Sequence, residues 1–342
     1  MPSVIPQDSQ FSIPQTMTAI EISKPGGPDV LQITTRGVPK PANNELLIHV
    51  LAAGINGPDV LQRKGLYDPP PGASDIPGLE IAGQVVALGA SVSRFAVGDM
   101  VAALVTGGGY AEYAVANENV TFAVPKGLTV TEAAALPETF MTVWLNLFQR
   151  GKFGQGDSVL IHGGASGIGT TATMLARQLG ADKIITTVNS AAQQEASVRL
   201  GADVAVNYLT DDFVSAAKDA TGGAGVDVIL DIIAGDYVAR NYEAAAMNGR
   251  IMQVSILKGP AKELNLWPML VKRLTHAGST LRSQSYEDKK SILGELEKFV
   301  WPLIAEGRVK PEVYRTFPLI DAADAHMLID SGTHIGKIVL VN

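Results

Sequence analysis

From residue 17 to about 140 the apolar positions come in short runs broken by Gly and Pro. ELLIHVLAAG (45–54), IAGQVVALG (81–89), DMVAALV (99–105) and YAEYAVA (110–116) each predict a strand. GGPD, PPPGASD and TGGG predict turns or loops between such runs. This is the pattern of a small, irregular β-rich domain. Beyond 140 the apolar spacing alternates between strand and helix periods. DSVLIHG (157–163) predicts a buried strand. In GIGTTATMLARQLG after it, Ile168, Ala172, Leu175, Ala176 and Leu179 share one helix face. KIITTV, DVAVNY, GVDVILDII and GRIMQVSIL predict further strands, with HAGSTLRS as a sixth. SAAQQEASVRL, DDFVSAAKDAT and DYVARNYEAAAM predict the helices between them. Such alternation requires right-handed crossovers and gives an α/β fold with a doubly wound parallel sheet.

Residues 285–342 predict a helix (SILGELEKFVWPLIAEG), a strand near VYRTFPL, a helix (DAADAHMLIDSG) and a last strand, GKIVLVN. This segment is expected to return to the first domain, so that 17–140 and 285–342 form one lobe and 141–284 the other. Ligands favour the cleft between two such lobes. Residues 1–16, with Pro2, Pro6 and Pro14, predict a loosely held leader.

Composition narrows the chemistry. The 342 residues carry 27 Lys and Arg against 34 Asp and Glu, a net −7, which argues against a nucleic-acid-coating surface. Zero cysteines exclude disulfides, thiolate zinc sites and cysteine nucleophiles. No basic-then-apolar leader and no apolar run of about 20 residues is present, so a cytoplasmic protein without a membrane span is expected. His49, His162, His276, His326 and His334 show no metal spacing. His162 precedes the glycine-rich loop. It is read as a strand-end histidine satisfied by backbone in preference to an acid.

The loop GGASGIG (163–169) follows a predicted strand and opens a predicted amphipathic helix. Gly164, Ser166 and Gly169 occupy the three small-residue slots of a dinucleotide fingerprint. Gly164, Ser166, Gly167, Ile168 and Gly169 are expected to receive a pyrophosphate on backbone N–H groups, which a branched side chain would hold off. The second strand ends in Asn189 and Ser190, so no carboxylate repels a ribose 2′-phosphate there.

The run GINGPDVLQRKGLYDPPPGASDIPGLEIAGQVVALG (54–89), with VLIHGGASGIG, LGADVAVNY, GVDVILDIIAG, LRSQ and IGKIVL, resembles the zinc-free quinone oxidoreductases of the medium-chain dehydrogenase/reductase superfamily. The zeta-crystallin-like and stress-inducible groups are the nearest comparison. The resemblance implies a GroES-like catalytic domain joined to a Rossmann domain, NADPH as cofactor and a homodimer. In zinc-containing relatives a Cys ligand falls at Asn56 and a His ligand at Leu79, beside Glu80, whose expected role is an internal salt bridge or hydrogen bond.

The same resemblance places Asn56 and Tyr67 at the nicotinamide cleft, as neutral donors to a substrate oxygen as hydride arrives. It implies cofactor contacts by Asn56, Thr142, Ser255, Ile256, Leu257, Arg282 and Lys337, with Arg282 open to a substrate role, and places Tyr208 near the 2′-phosphate. Asp59 is read as a helix cap. Gln193 stands where relatives carry a Lys toward that phosphate, so Gln193→Lys is expected to widen NADPH preference. Arg199 is read as solvent-exposed. The expected activity is NADPH-dependent reduction of a quinone. Reduction of an enone, alkenal or enoyl thioester is the alternative, and an NADPH- or RNA-binding protein with little turnover is the rival of another class.

Overall fold

The computed structural model describes residues 12–342. The expected leader lies mostly outside the described residues, and Thr16 already begins the first strand. A hairpin of β1 (Thr16–Ile22) and β2 (Leu31–Gly37), not predicted strand by strand from the sequence, opens the fold. β3 (Glu45–Gly54), α1 (Gly57–Arg63), β4 (Glu80–Leu88), β5 (Met100–Leu104), β6 (Tyr113–Asn117) and β7 (Thr121–Ala123) follow. The four sequence-predicted strands of this region are therefore present, with ends shifted by three residues at most.

Two short helices lead out of this lobe, α2 (Val130–Ala133) and α3 (Pro137–Val143). Pro137 suits the first turn, where its missing N–H costs nothing. Beyond α3 the helix widens into a π-type stretch over 144–150, closed by Gly151 N–H on Asn146 O at 2.8 Å. The chain then alternates: β8 (Val159–His162), α4 (Gly167–Gln178), β9 (Ile184–Val188), α5 (Ala191–Leu200), β10 (Val204–Asn207), α6 (Phe213–Ala220), β11 (Val226–Asp231), α7 (Tyr237–Ala244), β12 (Ala245–Gln253), α8 (Trp267–Val271) and β13 (Thr275–Gly278). The strands pair in parallel in the order β10-β9-β8-β11-β12-β13, a doubly wound Rossmann sheet.

The predicted helix of 291–307 is broken in two, α9 (Tyr286–Phe299) and α10 (Trp301–Ala305), because Pro302 cannot donate within a continuing helix. β14 (Val313–Pro318), α11 (Ala322–Ser331) and β15 (Lys337–Val341) complete the chain. β15 pairs antiparallel with β3, joining the C-terminus to the GroES-like sheet β14-β15-β3-β4-β5-β7. One apolar core holds Ala52, Ala82 and Phe122 of that sheet, Phe140 and Met141 of α3, and Val159 and Leu230 of the Rossmann sheet. α3 is thus packed from both sides, which fixes its position between the lobes.

Candidate active site

The end of β3 builds the floor. Asn56 caps α1, and the Asp59 carboxylate returns to accept its N–H at 2.8 Å. The Asn56 side chain is 6 % exposed and spends all its polar atoms internally. Nδ2 donates to Glu80 Oε1 (2.9 Å) and to Gly54 O (3.3 Å), while Oδ1 accepts from Lys337 Nζ at 2.6 Å. Lys337 Nζ also donates to Ile55 O (2.7 Å) and pairs with Glu80 Oε1 (2.6 Å). Glu80 Oε2 accepts the Glu138 N–H at 2.8 Å, tying the floor to α3. Gly54 has no substitute here, since a Cβ would lie 2.1 Å from Glu80 Oε1.

This geometry corrects two expectations. The Asn56 amide has no N–H left for a substrate oxygen. The Lys337 ammonium does not extend a charge to a cofactor, because its three donors already meet three protein acceptors. Desolvation is the reason: buried charges and amides of this kind are retained only when paired. Both residues act as supports. The Lys337 stem passes beside Gly167, whose Cβ would come 2.6 Å from Lys337 Cδ, so the floor and the glycine-rich loop are in contact.

Tyr67, a few residues past α1, stands under the Arg282 guanidinium, 5.4 Å from ring centroid to guanidinium carbon. Burial raises the phenol above its ordinary pKa, and Arg282 draws it partly back. Arg282 is anchored in the GroES-like lobe: Nη2 and Nε donate to Thr106 O (2.6 and 3.2 Å), and Nη2 to Gln62 Oε1 (3.3 Å). Its Nη1 is buried without a partner. Arg282 thus stands beside Tyr67, held by acceptors of the GroES-like lobe. Behind it Lys289 Nζ donates to Arg282 O at 3.0 Å.

The glycine-rich loop carries the expected small-residue logic. Ser166 caps α4, its Oγ accepting the Gly169 N–H at 3.0 Å, and a Cβ on Gly169 would lie 2.2 Å from Gly163 O. The N–H groups of Gly167 and Ile168 begin α4 and have no carbonyl within it to meet. Gly336 N–H donates to Ala165 O at 2.7 Å, which holds the C-terminal segment against this loop. Thr139 of α3 touches the start of α4, its Oγ1 3.3 Å from Thr171 Oγ1. One turn further along α3, Thr142 Oγ1 is buried with no partner.

His162 is fully buried, and its partners are side chains rather than backbone. Nε2 meets Asn241 Oδ1 at 2.7 Å and Nδ1 meets Thr187 Oγ1 at 3.1 Å. Asn241 Nδ2 is oriented by Asp231 at 2.9 Å, and Thr187 Oγ1 takes the Gly163 N–H at 3.2 Å. The histidine therefore braces the loop from below, and burial lowers its pKa.

At the ends of β9 and β10, Ser190 caps α5, Asn189 N–H goes to Gln193 Oε1 at 3.2 Å, and Tyr208 is 38 % exposed. Gln193 does not face solvent or a phosphate: it is buried, and Nε2 donates to Gly332 O (3.1 Å) and His334 O (3.4 Å). Arg199 is not free either, since it makes two bonds to Glu312 at 2.9 and 3.2 Å. Ser255, Ile256 and Leu257 follow β12 with the last two side chains exposed, and Leu257 N–H meets Ile232 O at 3.3 Å.

Glu138 was not singled out in the sequence. It is buried at the first turn of α3, and among the described residues no hydrogen bond or ion pair engages its carboxyl. Burial, then Glu80 and Asp59, push its pKa up to about 8. The signal in sequence was its spacing of four from Thr142, which puts both on one helix face.

These geometries sit within a known architecture. A family model described as alcohol dehydrogenase GroES-like domain matches residues 42–126, and one described as zinc-binding dehydrogenase matches 200–340. A quinone oxidoreductase of Rattus norvegicus is 31% identical over 95% of this chain and 98% of its own. That of Lama guanicoe is 32% identical over 95% and 97%. The crystal structure of Escherichia coli quinone oxidoreductase complexed with NADPH superposes with a TM-score of 0.85 at 30% identity, covering 95% of this chain and 100% of that one. The second family description implies zinc, and the residues here do not fit it. The donor set offers an amide at Asn56 and an aliphatic side chain at Leu79, and the Lys337 ammonium already lies between Asn56 and Glu80. Among the described residues no group of three or more His, Cys, Asp or Glu could hold a metal ion. With a GroES-like sheet, a Rossmann sheet and quinone oxidoreductases 31–32% identical over 95% of its length, the chain belongs to the quinone oxidoreductase family of the medium-chain dehydrogenases/reductases.

Proposed function

We propose that the chain is an NADPH-dependent quinone reductase that works without zinc. The observation that carries this reading is a set of polar groups with unspent capacity beside a dinucleotide loop: Thr142 Oγ1 on α3 and Arg282 Nη1 beside Tyr67. Buried donors and acceptors without partners are uncommon in folded proteins, and a ligand explains them. The relatives' cofactor fits the loop, where glycines admit a pyrophosphate to the first N–H groups of α4. When bound, the nicotinamide supplies a hydride.

The chain's own residues orient and stabilise. Gly164, Ser166, Gly167, Ile168 and Gly169 hold the diphosphate through backbone N–H groups and the α4 terminus. Asn189, Ser190 and Tyr208 face the adenosine ribose, and Thr142 with the backbone of Ser255, Ile256 and Leu257 borders the nicotinamide. Tyr67 O–H and Arg282 Nη1 donate to the carbonyl oxygen of the acceptor as negative charge develops there. Asn56, Glu80 and Lys337 form the floor. An enone or enoyl thioester offers the same electron-poor carbonyl to Tyr67 and Arg282, and is the second reading. We retain the division into 17–140 with 285–342 and 141–284, and the cytoplasm as compartment. Among the described residues no helix is long and apolar enough to cross a membrane.

A panel of quinones, enones and enoyl thioesters with NADPH tests this reading. NADPH oxidation fastest with a quinone supports it. Tight NADPH binding with no turnover on the whole panel favours the binding-protein rival. Titration of both reduced cofactors at low salt is expected to favour NADPH by about 10-fold, one decade being about 1.4 kcal/mol.

A further inference from the structure

We propose that Glu138 is the proton donor of this site: a carboxylic acid, kept neutral in the folded protein, that protonates the acceptor anion left by hydride arrival. The inference rests on the reductase reading above. Its ground is geometric. Glu138 and Thr142 are four residues apart in α3, so they share one face of the helix. Both residues are buried. Thr142 Oγ1 is sealed from solvent with no partner, and among the described residues no hydrogen bond or ion pair engages the Glu138 carboxyl. A sealed hydroxyl with no partner and, one turn before it, a carboxyl that no protein group engages mark the face that meets the ligand.

Charge counting explains why the acid keeps its proton. The groups facing Glu138 are Glu80 of β4, Asp59 of α1, Lys337 of β15 and Lys289 of α9, with Tyr67 and Arg282 on the substrate side. Lys337 is committed to Glu80, Asn56 and Ile55. Lys289 Nζ donates to a backbone carbonyl, and Arg282 is held by Thr106 and Gln62. Among the described residues no cation pairs with Glu138, so a carboxylate there would be a charge in a buried side chain with no partner, beside the Glu80 carboxyl that Lys337 already holds. That arrangement favours the acid form. The pKa of about 8 agrees with this.

The step balances simply. Hydride brings two electrons and one proton's worth of hydrogen to the quinone, leaving a hydroquinone monoanion. The Glu138 O–H bond breaks, its proton passes to the anionic oxygen, and the electron pair stays on the carboxylate. Water returns the proton. A phenol such as Tyr67, raised above its ordinary pKa, is the weaker acid.

The test compares wild type, Glu138→Gln and Glu138→Asp. In the protein without cofactor, infrared difference spectra should show a carboxylic C=O band that disappears as pH rises through about 8 and is missing from Glu138→Gln. Melting temperature is a second readout free of activity. The Glu138→Gln variant should gain on wild type as pH rises from 5 to 9, because only wild type must then ionise a buried acid. With NADPH and the preferred quinone, kcat should fall about 100-fold in Glu138→Gln, recover partly in Glu138→Asp, and lose its decline above about pH 8, while NADPH affinity holds. A wild-type enzyme that turns over quinone alongside an equally active Glu138→Gln overturns this inference alone. So does a carboxyl band that is absent at pH 6. Wild type that binds NADPH but reduces none of the panel's quinones, enones or enoyl thioesters overturns the reductase reading and this inference with it.

Discussion

At the residue scale, single side chains near the site differ in what they can give. Among the described residues no hydrogen bond engages the Tyr67 O–H, so Tyr67→Phe should reduce kcat about 10–100-fold, the value of one neutral donor at about 1–3 kcal/mol, with NADPH affinity unchanged. Stopped-flow and titration separate the two, and unchanged kcat across several quinones would make Tyr67 a packing residue. His326 shows the opposite case, a titratable group with no capacity left. Arg63 Nη1 meets its Nδ1 at 3.0 Å, and arginine can only donate, so Nε2 carries the proton toward Tyr110 Oη at 3.0 Å. Tyr110 in turn donates to Asp59 at 3.2 Å. Burial, then Arg63, hold His326 down to about 3. Between about pH 6.5 and 3 the unfolded chain binds a proton that the folded chain refuses, so stability falls as pH falls through that window. Asp59, pushed up to about 6 by burial, acts in the other direction below pH 6 and offsets part of the loss. His326→Gln, which keeps one acceptor and one donor, should therefore lose less melting temperature than wild type between pH 7 and pH 4.

At the scale of elements, β15 matters more for its first residue than for its pairing. Lys337→Met leaves the buried Glu80 carboxyl without its cation, and should cost about 3–5 kcal/mol in denaturant unfolding. Adding Glu80→Gln should restore part of that stability. A double variant no more stable than the single one would show that the ammonium is not what holds the floor. The turn from β9 into α5 is the second case. Gln193 ties Asn189 to the 332–334 loop, so Gln193→Lys loses three hydrogen bonds inside the protein and should weaken NADPH binding. A calorimetric titration showing tighter NADPH would reverse this conclusion.

At the scale of the whole molecule, the Rossmann sheet ends at β13, whose outer edge is unpaired among the described residues. Beside it in sequence, Leu266 and, within α8, Trp267 and Leu270 are each more than half exposed. An open edge with large apolar neighbours is a surface that a second copy can cover. Light scattering should give twice 35.9 kDa for wild type and one copy for Trp267→Glu with Leu270→Glu. A wild-type monomer at micromolar concentration would sink the homodimer.

Most of the fold was legible in the sequence because periodicity is local. Strand alternation at 45–54, the helical face from Ile168 to Leu179 and the small residues at 164, 166 and 169 each report the burial of their own segment. The exceptions were also local: Pro302 split one helix, and the β1–β2 hairpin was marked only by its GGPD turn at 26–29, not by its strands. The tight loop at 163–169 was legible from residue types, since a side chain at Gly169 would collide with Gly163 O. What each site residue is free to do was not legible. Asn56 and Lys337 look available in sequence. They are consumed by one another and by Glu80 because β15, β3 and β4 meet from segments up to 281 residues apart. Glu138 reads as one more helix-forming residue, and only tertiary packing leaves it without a counterion. Residue type sets which hydrogen bonds and charges are possible, whereas the fold decides which are already spent.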